Sequence, residues 1–291
     1  MQDLAGKTAF ITGGASGIGF AMAEAFLKEG MKVVIADVDD AALAEAKTRL
    51  KGDNALLAIR LDVTDRDQFA AVADQVEAEM GPVHVLCNNA GVYRGGAMDE
   101  VTYNDWDWIM GVNVGGVING VQTFVERIKQ HGQGGHIVNT ASMAGLMTSP
   151  GLGVYNTSKF AVVGLSEALR IDLEPHNIGV SVLCPGMVRT RILESERTRP
   201  DDLDVTEADA EAAAQQHSEM MTMAMNTGID ASEVADQVVA GIKANALHIL
   251  PHPEMKQAAV DRMQAVADAF GEADPERVAA QEKFMSELLQ G

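Results

Sequence analysis

Tyr155 and Lys159 lie four residues apart at the start of a helical pattern, so both side chains project from one face. A free phenol titrates near about 10, and a cation held beside it favours the phenolate, each unit of lowering corresponding to about 1.4 kcal/mol. The pair predicts a Tyr155 whose pKa is lowered and which takes and returns a proton. Tyrosine and lysine at this spacing also occur on ordinary surface helices, so the chemistry depends on what converges with them. Ser142 closes the β-branched run GHIVNTAS, Asn88-Asn89-Ala90-Gly91 follows HVLC, and Pro185-Gly186 follows GVSVLC. All three are C-terminal strand ends, where open α/β sheets bind ligands.

A second group of residues suits an anion. The run TAFIT is followed by Thr12-Gly13-Gly14-Ala15-Ser16-Gly17-Ile18-Gly19 and then by an amphipathic stretch, which is the order strand, glycine turn, helix. Gly13 can take the angles of the tight turn, Gly17 removes a side chain where a pyrophosphate would approach, and Gly19 lets the helix pack on the sheet. Free N–H groups and the dipole at the helix start favour negative charge. The next strand-like run ends at Asp37, 18 residues past Gly19, where a carboxylate can accept hydrogen bonds from ribose hydroxyls and repel a 2′-phosphate. Asp39 and Asp40 add negative charge, and Ala15 and Ser16 bring no cation into the loop, so NAD is expected rather than NADP. Read without that context, Asp37 is a solvated strand-end residue or a helix cap.

Elements that alternate must hold these residues in place. Short apolar runs at 8–12, 32–37, 55–63, 84–89, 135–142 and 179–185 read as strands, and patterns at 17–29, 40–51, 66–80, 104–130 and 153–174 read as helices. This is the signature of βαβ units and a parallel sheet. Residues 187–230 are charged, helix-prone and free of strand patterning, and read as an excursion. A helix at 231–244, a short strand at 246–250 and helical patterns at 254–270 and 276–289 follow. The expected fold is α/β: one Rossmann-like, doubly wound parallel sheet with helices on both faces. A single NAD-binding catalytic domain is expected over 1–291, with 187–230 as a helical substrate lid after the sixth strand and 254–291 as a helical C-terminal extension.

Composition narrows the partners. The 291 residues carry 42 acidic and 22 basic side chains, a formal charge of −20, which repels phosphate backbones and anionic lipid. Neither nucleic acid nor membrane is expected as a partner, and with no apolar span of about 20 residues and no signal-like start the chain is read as cytoplasmic. Cys87 and Cys184 each end an apolar run and read as buried small hydrophobes. His248 and His252 have metal-like spacing, but Pro251 and Pro253 break the helix that would align them, and no metal is expected. Met220, Met221, Met223 and Met225 fit either core filling or an apolar lid.

Taken together and in this order, TGGASGIG, NNAG, Asn113, Ser142, the Tyr155–Lys159 segment and PGMVRT resemble the classical short-chain dehydrogenase/reductase family, over residues 7 to about 190. The resemblance implies that Tyr155 exchanges a proton with the substrate oxygen while Ser142 hydrogen-bonds that oxygen. It implies that Lys159 binds the nicotinamide ribose, lowers the Tyr155 pKa and, with the backbone near Asn113, holds a water chain. Read alone, Asn113 in GVNVGG is a polar residue that kinks a helix. The cofactor contacts carried over are Gly13, Ser16, Gly17, Ile18 and Gly19 in the turn, and Asp37 at the ribose. Asp62 and Val63 fall at the adenine, and Asn89, Ala90 and Gly91 along the cleft. Tyr155 and Lys159 stand at the second ribose, and Pro185, Gly186, Val188 and Thr190 around the carboxamide. The segments NGVQTFVERI, IGVSVLCPGMV and ANALHILPHPE are also similar to Cα-dehydrogenases that oxidise lignin-derived β-aryl ethers. The expected activity is NAD-dependent interconversion of a secondary alcohol and a ketone, on a small molecule that is bulky and aromatic or apolar. An NADPH-dependent carbonyl reductase and a non-catalytic NAD-binding redox sensor remain as alternatives. Apolar residues around more than one face of 104–130 and 153–174, with the resemblance, imply a homodimer or homotetramer.

Overall fold

The computed structural model describes residues 1–203 and 227–288. Seven strands, β1 (Thr8–Thr12), β2 (Lys32–Asp37), β3 (Leu56–Arg60), β4 (Val83–Asn88), β5 (Gly135–Thr140), β6 (Ile178–Leu183) and β7 (His248–Ile249), form one sheet in the order β3-β2-β1-β4-β5-β6-β7. Every neighbouring pair is parallel. The chain builds outward from β1 to β3, then crosses to β4 and builds the other way. Two neighbouring connections therefore leave β1 and β4 in opposite directions, and a crevice opens at the C-terminal ends of these strands.

Strands covered on both faces should be apolar almost throughout, and β1 and β4 are buried along their whole length. On one face α1 (Gly17–Lys28) and α2 (Asp40–Leu50) pack with α7 (Ala231–Ala244) around Phe26, Ile35 and Val238. On the other, α3 (Arg66–Met80) and α5 (Gly116–His131) enclose Phe10, Phe69 and Phe124, with the Phe10 and Phe124 rings 4.8 Å apart. The helix α6 (Gly153–Leu173) lies against β6 and carries Tyr155 and Lys159 in its first two turns.

Three expectations shift at element ends. The strand expected over 55–63 stops at Arg60, because Asp62 folds into a local turn: its Oδ1 accepts from Thr64 N at 2.9 Å and from Thr64 Oγ1 at 2.7 Å. The single helix expected over 104–130 is α4 (Tyr103–Met110) and α5 joined by a π turn over Gly111–Gly115, with Asn113 at its centre. The strand expected over 246–250 is reduced to His248–Ile249. In the excursion, residues up to 203 form short 3-10 turns at Ile192–Thr198 and Asp201–Leu203. The remainder of the expected lid, with Met220, Met221, Met223 and Met225, lies outside the described residues.

The chain divides into two compact units, Met1–Pro253 and Glu254–Gly291. The second contains α8 (Lys256–Asp268) and α9 (Pro275–Leu288). Cys87 and Cys184 are free and buried. Among the described residues no helix is long and apolar enough to cross a membrane, and no three metal-ligating side chains converge.

Candidate active site

The crevice is a cavity of about 360 Å3, and most of the residues picked from the sequence stand on its wall. Gly13, Ser16, Gly17, Ile18 and Asp37 line one end, Asp62 and Val63 a side, and Asn89, Ala90 and Gly91 the floor above β4. Tyr155, Lys159, Pro185 and Thr190 complete it. Gly19, Asn113, Ser142, Gly186 and Val188 stand behind the wall. Gly19 has a packing role, since a Cβ there would lie 2.1 Å from the Gly13 carbonyl oxygen.

At the glycine turn, Gly13 and Gly17 take φ of +62° and +53°, left-handed angles that a side chain disfavours. Ser16 caps α1 without a side-chain hydrogen bond, so the first N–H groups of the helix face the cavity end uncovered by a cap. Asp37 accepts Ala15 N and Asp39 N, each at 3.2 Å. Burial raises its pKa, with those two bonds pulling the other way. A turn of this shape, a bare helix start and a half-buried carboxylate one strand over fit the pyrophosphate and adenosine ribose of a dinucleotide.

At the other end, Ser142 Oγ accepts from Ala144 N at 3.1 Å and donates to the Pro185 carbonyl at 3.3 Å. Lys159 Nζ donates to the Thr140 carbonyl at 3.1 Å and stands 5.5 Å from the centre of the Tyr155 ring. The lowered Tyr155 pKa expected from the sequence is not found. Burial pushes the phenol up to about 12, and its contact with Ser142 offsets only part of that. Burial also brings Lys159 down to about 8, with only the nearby Cys184 pulling the other way.

Asn113 does more than kink a helix. Its Oδ1 accepts Val92 N at 2.8 Å, and its Nδ2 donates to Val92 O at 3.0 Å and to Ser158 Oγ at 3.1 Å. The π turn is thereby tied to the loop after β4 and to α6. A Cβ added to Gly91 would lie 3.3 Å from Asn113 Oδ1 and 3.4 Å from Lys159 Nζ, so both groups flank that glycine.

Sequence reasoning missed several groups. Tyr93 sets its ring edge-on to Tyr155 at 5.3 Å between centroids. Asp105, 1% exposed, meets Arg94 at 2.8 Å and Arg199 at 2.9 Å, and both arginines also reach Glu196. The Arg199 guanidinium lies 4.9 Å from the centre of the Trp108 ring. Arg197 pairs with Asp39 next to the ribose end, Arg189 with Asp230 and Arg191 with Glu194. The four arginines of the excursion, Arg189, Arg191, Arg197 and Arg199, are thus paired within the chain. The T102-Y-N-D105 capping box was a visible local signal for the start of α4, but nothing near it marks Arg199 as the partner.

A parallel sheet whose switch point opens over a glycine turn, with a serine, a tyrosine and a lysine at the far end, defines a dinucleotide-dependent oxidoreductase. The family model of the short chain dehydrogenases matches residues 7–201, and the chain belongs to that family. A C alpha-dehydrogenase of Sphingobium sp. (strain NBRC 103272 / SYK-6) is 39% identical over 282 residues, which are 95% of this chain and 91% of that protein. A short-chain dehydrogenase/reductase from Burkholderia phymatum, solved in complex with NAD, is 39% identical with a TM-score of 0.89, covering 94% of this chain and 99% of that one. The apo form of LigO from Sphingobium sp. strain SYK-6 is 38% identical with a TM-score of 0.80, covering 99% and 98%.

Proposed function

We propose that this short-chain dehydrogenase uses NAD to interconvert a secondary alcohol and a ketone, on a substrate that is bulky and aromatic or apolar. The observation that carries the reading is that Tyr155, backed by Ser142, stands with Lys159 on the wall of the same cavity that Asp37 lines. The NAD bound to the Burkholderia relative and the C alpha-dehydrogenase activity named for the Sphingobium relative support the cofactor and the substrate class. The whole chain acts as one catalytic domain in this proposal, with 254–291 as an extension.

NAD, when bound, supplies the hydride acceptor. The chain's own residues do the rest. Gly13, Ser16, Gly17 and Ile18 receive the phosphates at the start of α1, and Asp37 accepts the adenosine ribose hydroxyls. Asp62 and Val63 border the adenine, and Asn89, Ala90 and Gly91 form the floor. Pro185, Gly186, Val188 and Thr190 shape the carboxamide end. Ser142 Oγ hydrogen-bonds the carbinol oxygen, and Tyr155 Oη takes its proton during oxidation or returns one during reduction. Lys159 Nζ holds the second ribose and, with the backbone near Asn113, passes the proton outward.

Titrating NADH and NADPH against the purified protein, and then assaying aromatic and aliphatic secondary alcohols with NAD, tests the reading. Tighter NADH binding and turnover of aryl alcohols that falls by about a hundredfold to ten-thousandfold in Tyr155→Phe are expected, in keeping with the usual size of acid–base catalysis. Preference for NADPH would instead make the chain a carbonyl reductase, and binding without turnover a redox sensor.

A further inference from the structure

The turn that leaves β6 is anchored by a histidine 66 residues further along the chain. Gly186 N–H donates to His252 Nδ1 at 2.9 Å, and His252 Nε2 stands 2.9 Å from the Met187 carbonyl oxygen. A donor facing Nδ1 requires that nitrogen to carry no proton, so the one ring proton sits on Nε2 and is given to Met187. The ring is held in a single tautomer and is only 5% exposed. The Met187 carbonyl also accepts Ile229 N at 3.1 Å, while Arg189 N donates to Ile229 O at 3.0 Å. The imidazole therefore extends the short parallel bridge that pairs Val188 with Ile229. From the opposite side the Pro185 carbonyl accepts Met143 N at 2.9 Å and Ser142 Oγ at 3.3 Å. Pro251 and Pro253 flank the histidine with fixed φ, so the ring is carried on a short, stiff tether leaving β7.

We infer that His252 is a positioning residue for the nicotinamide end of the cleft. By bridging Gly186 and Met187 it sets the course of the 185–190 turn, and with it Thr190 on the cavity wall and the peptide that Ser142 bonds. His252 is not among the residues that line the cavity, so it acts through the backbone. The inference rests on the NAD reading given above, because that reading puts the carboxamide against this turn.

The test compares two ligands that share every part but one: ADP-ribose has the adenosine, the pyrophosphate and the second ribose of NADH and lacks the nicotinamide ring. His252→Phe keeps an aromatic ring and removes both contacts, whereas His252→Gln offers an amide oxygen and an amide N–H at a similar separation. The Kd for NADH should rise about tenfold or more in His252→Phe and return to within about threefold of wild type in His252→Gln, with ADP-ribose held within about twofold throughout. An unchanged NADH Kd in His252→Phe, or equal weakening of both ligands, overturns the inference. Should His252→Phe fail to fold, His252→Asn is measured with the same two ligands, where a loss confined to NADH supports the role and any other result overturns it. Wild-type protein that binds neither ligand overturns the NAD reading, and the inference with it.

Discussion

A carboxylate at the end of β2 accepts from a hydroxyl and repels a phosphate, and Asp37 puts one there with its oxygens already holding Ala15 N and Asp39 N. Asp37→Ala should weaken NAD about tenfold or more, as expected when an acceptor worth about 1.5–3 kcal/mol is lost, and should narrow the gap to NADP. Because the variant also frees the Ala15 N–H in the glycine turn, the measurement that counts is the ratio of the two dissociation constants; an unchanged ratio removes Asp37 from cofactor choice. Lys159 sets a second residue-scale expectation through its burial. Its pKa falls from 10.5 to about 8 on folding, so between these values the unfolded chain holds a proton that the folded chain has shed, and stability rises with pH across that window. Below about 8 the burial penalty is fully present. Lys159→Met should remove it and be more stable at pH 7 by on the order of 2 kcal/mol, after allowing for the lost bond to Thr140. The advantage should shrink as pH rises towards 10 while turnover stays abolished. Urea midpoints for both proteins at pH 7 and pH 10 check this, and parallel pH dependence would refute it.

At the scale of elements, the segment after β6 is held to α4 by charge. Asp105 is buried in the first turn of α4, and Arg199, with its side chain 3% exposed, reaches it from the 3-10 turns of the excursion. Burial alone would raise the Asp105 pKa, but the Thr102 backbone and the two arginines outweigh it and hold the carboxyl below its usual range. Removing one partner of a buried pair leaves the other poorly compensated. Arg199→Ala should destabilise the protein by about 2 kcal/mol, less than for a complete orphan because Arg94 still faces Asp105 at 2.8 Å. Arg199→Ala should also raise the KM for the alcohol more than that for NAD, since the segment it anchors borders the cavity beside Trp108 and Leu203. Equilibrium unfolding with steady-state kinetics on the same variant reads both effects, and wild-type stability would show that the pair contributes nothing.

At the scale of the whole molecule, two quantities act against each other. Val117, Val121, Val162 and Val163 turn inward and are buried, which uses up part of the apolar surplus seen in the sequence. Ile118 and Ile171 remain 41% and 72% exposed on α5 and α6. Two or four copies joined through these helices is the proposed assembly, and each copy brings a net charge of −20 that opposes the joining. Salt shortens the reach of that repulsion to about 8 Å at physiological strength, so the assembly should strengthen as salt rises. Light scattering at micromolar concentration should give a dimer or tetramer mass, with dissociation favoured at low salt. A monomer mass in both conditions would sink the proposal.

Features written in short stretches of neighbouring residues were legible in the chain before it folds. The starts of β1 and β2 coincide with the expected strands at Thr8 and Lys32, and α3 and α7 run over the expected residues, because period and capping are local. The glycine turn, Asp37 at the end of β2 and the Tyr155–Lys159 spacing were legible for the same reason. The tertiary structure alone decided how these groups behave. The Tyr155 pKa moves up rather than down because desolvation depends on what covers the first turns of α6, which no spacing within the helix encodes. The π turn at Asn113, the Arg199–Asp105 pair and the His252 bridge join residues between 21 and 94 positions apart, so their partners are chosen by the packing of elements and not by sequence neighbours. Asp62 marks the boundary between the two: its turn is local, but it won over the strand pattern through hydrogen bonds that periodicity does not report.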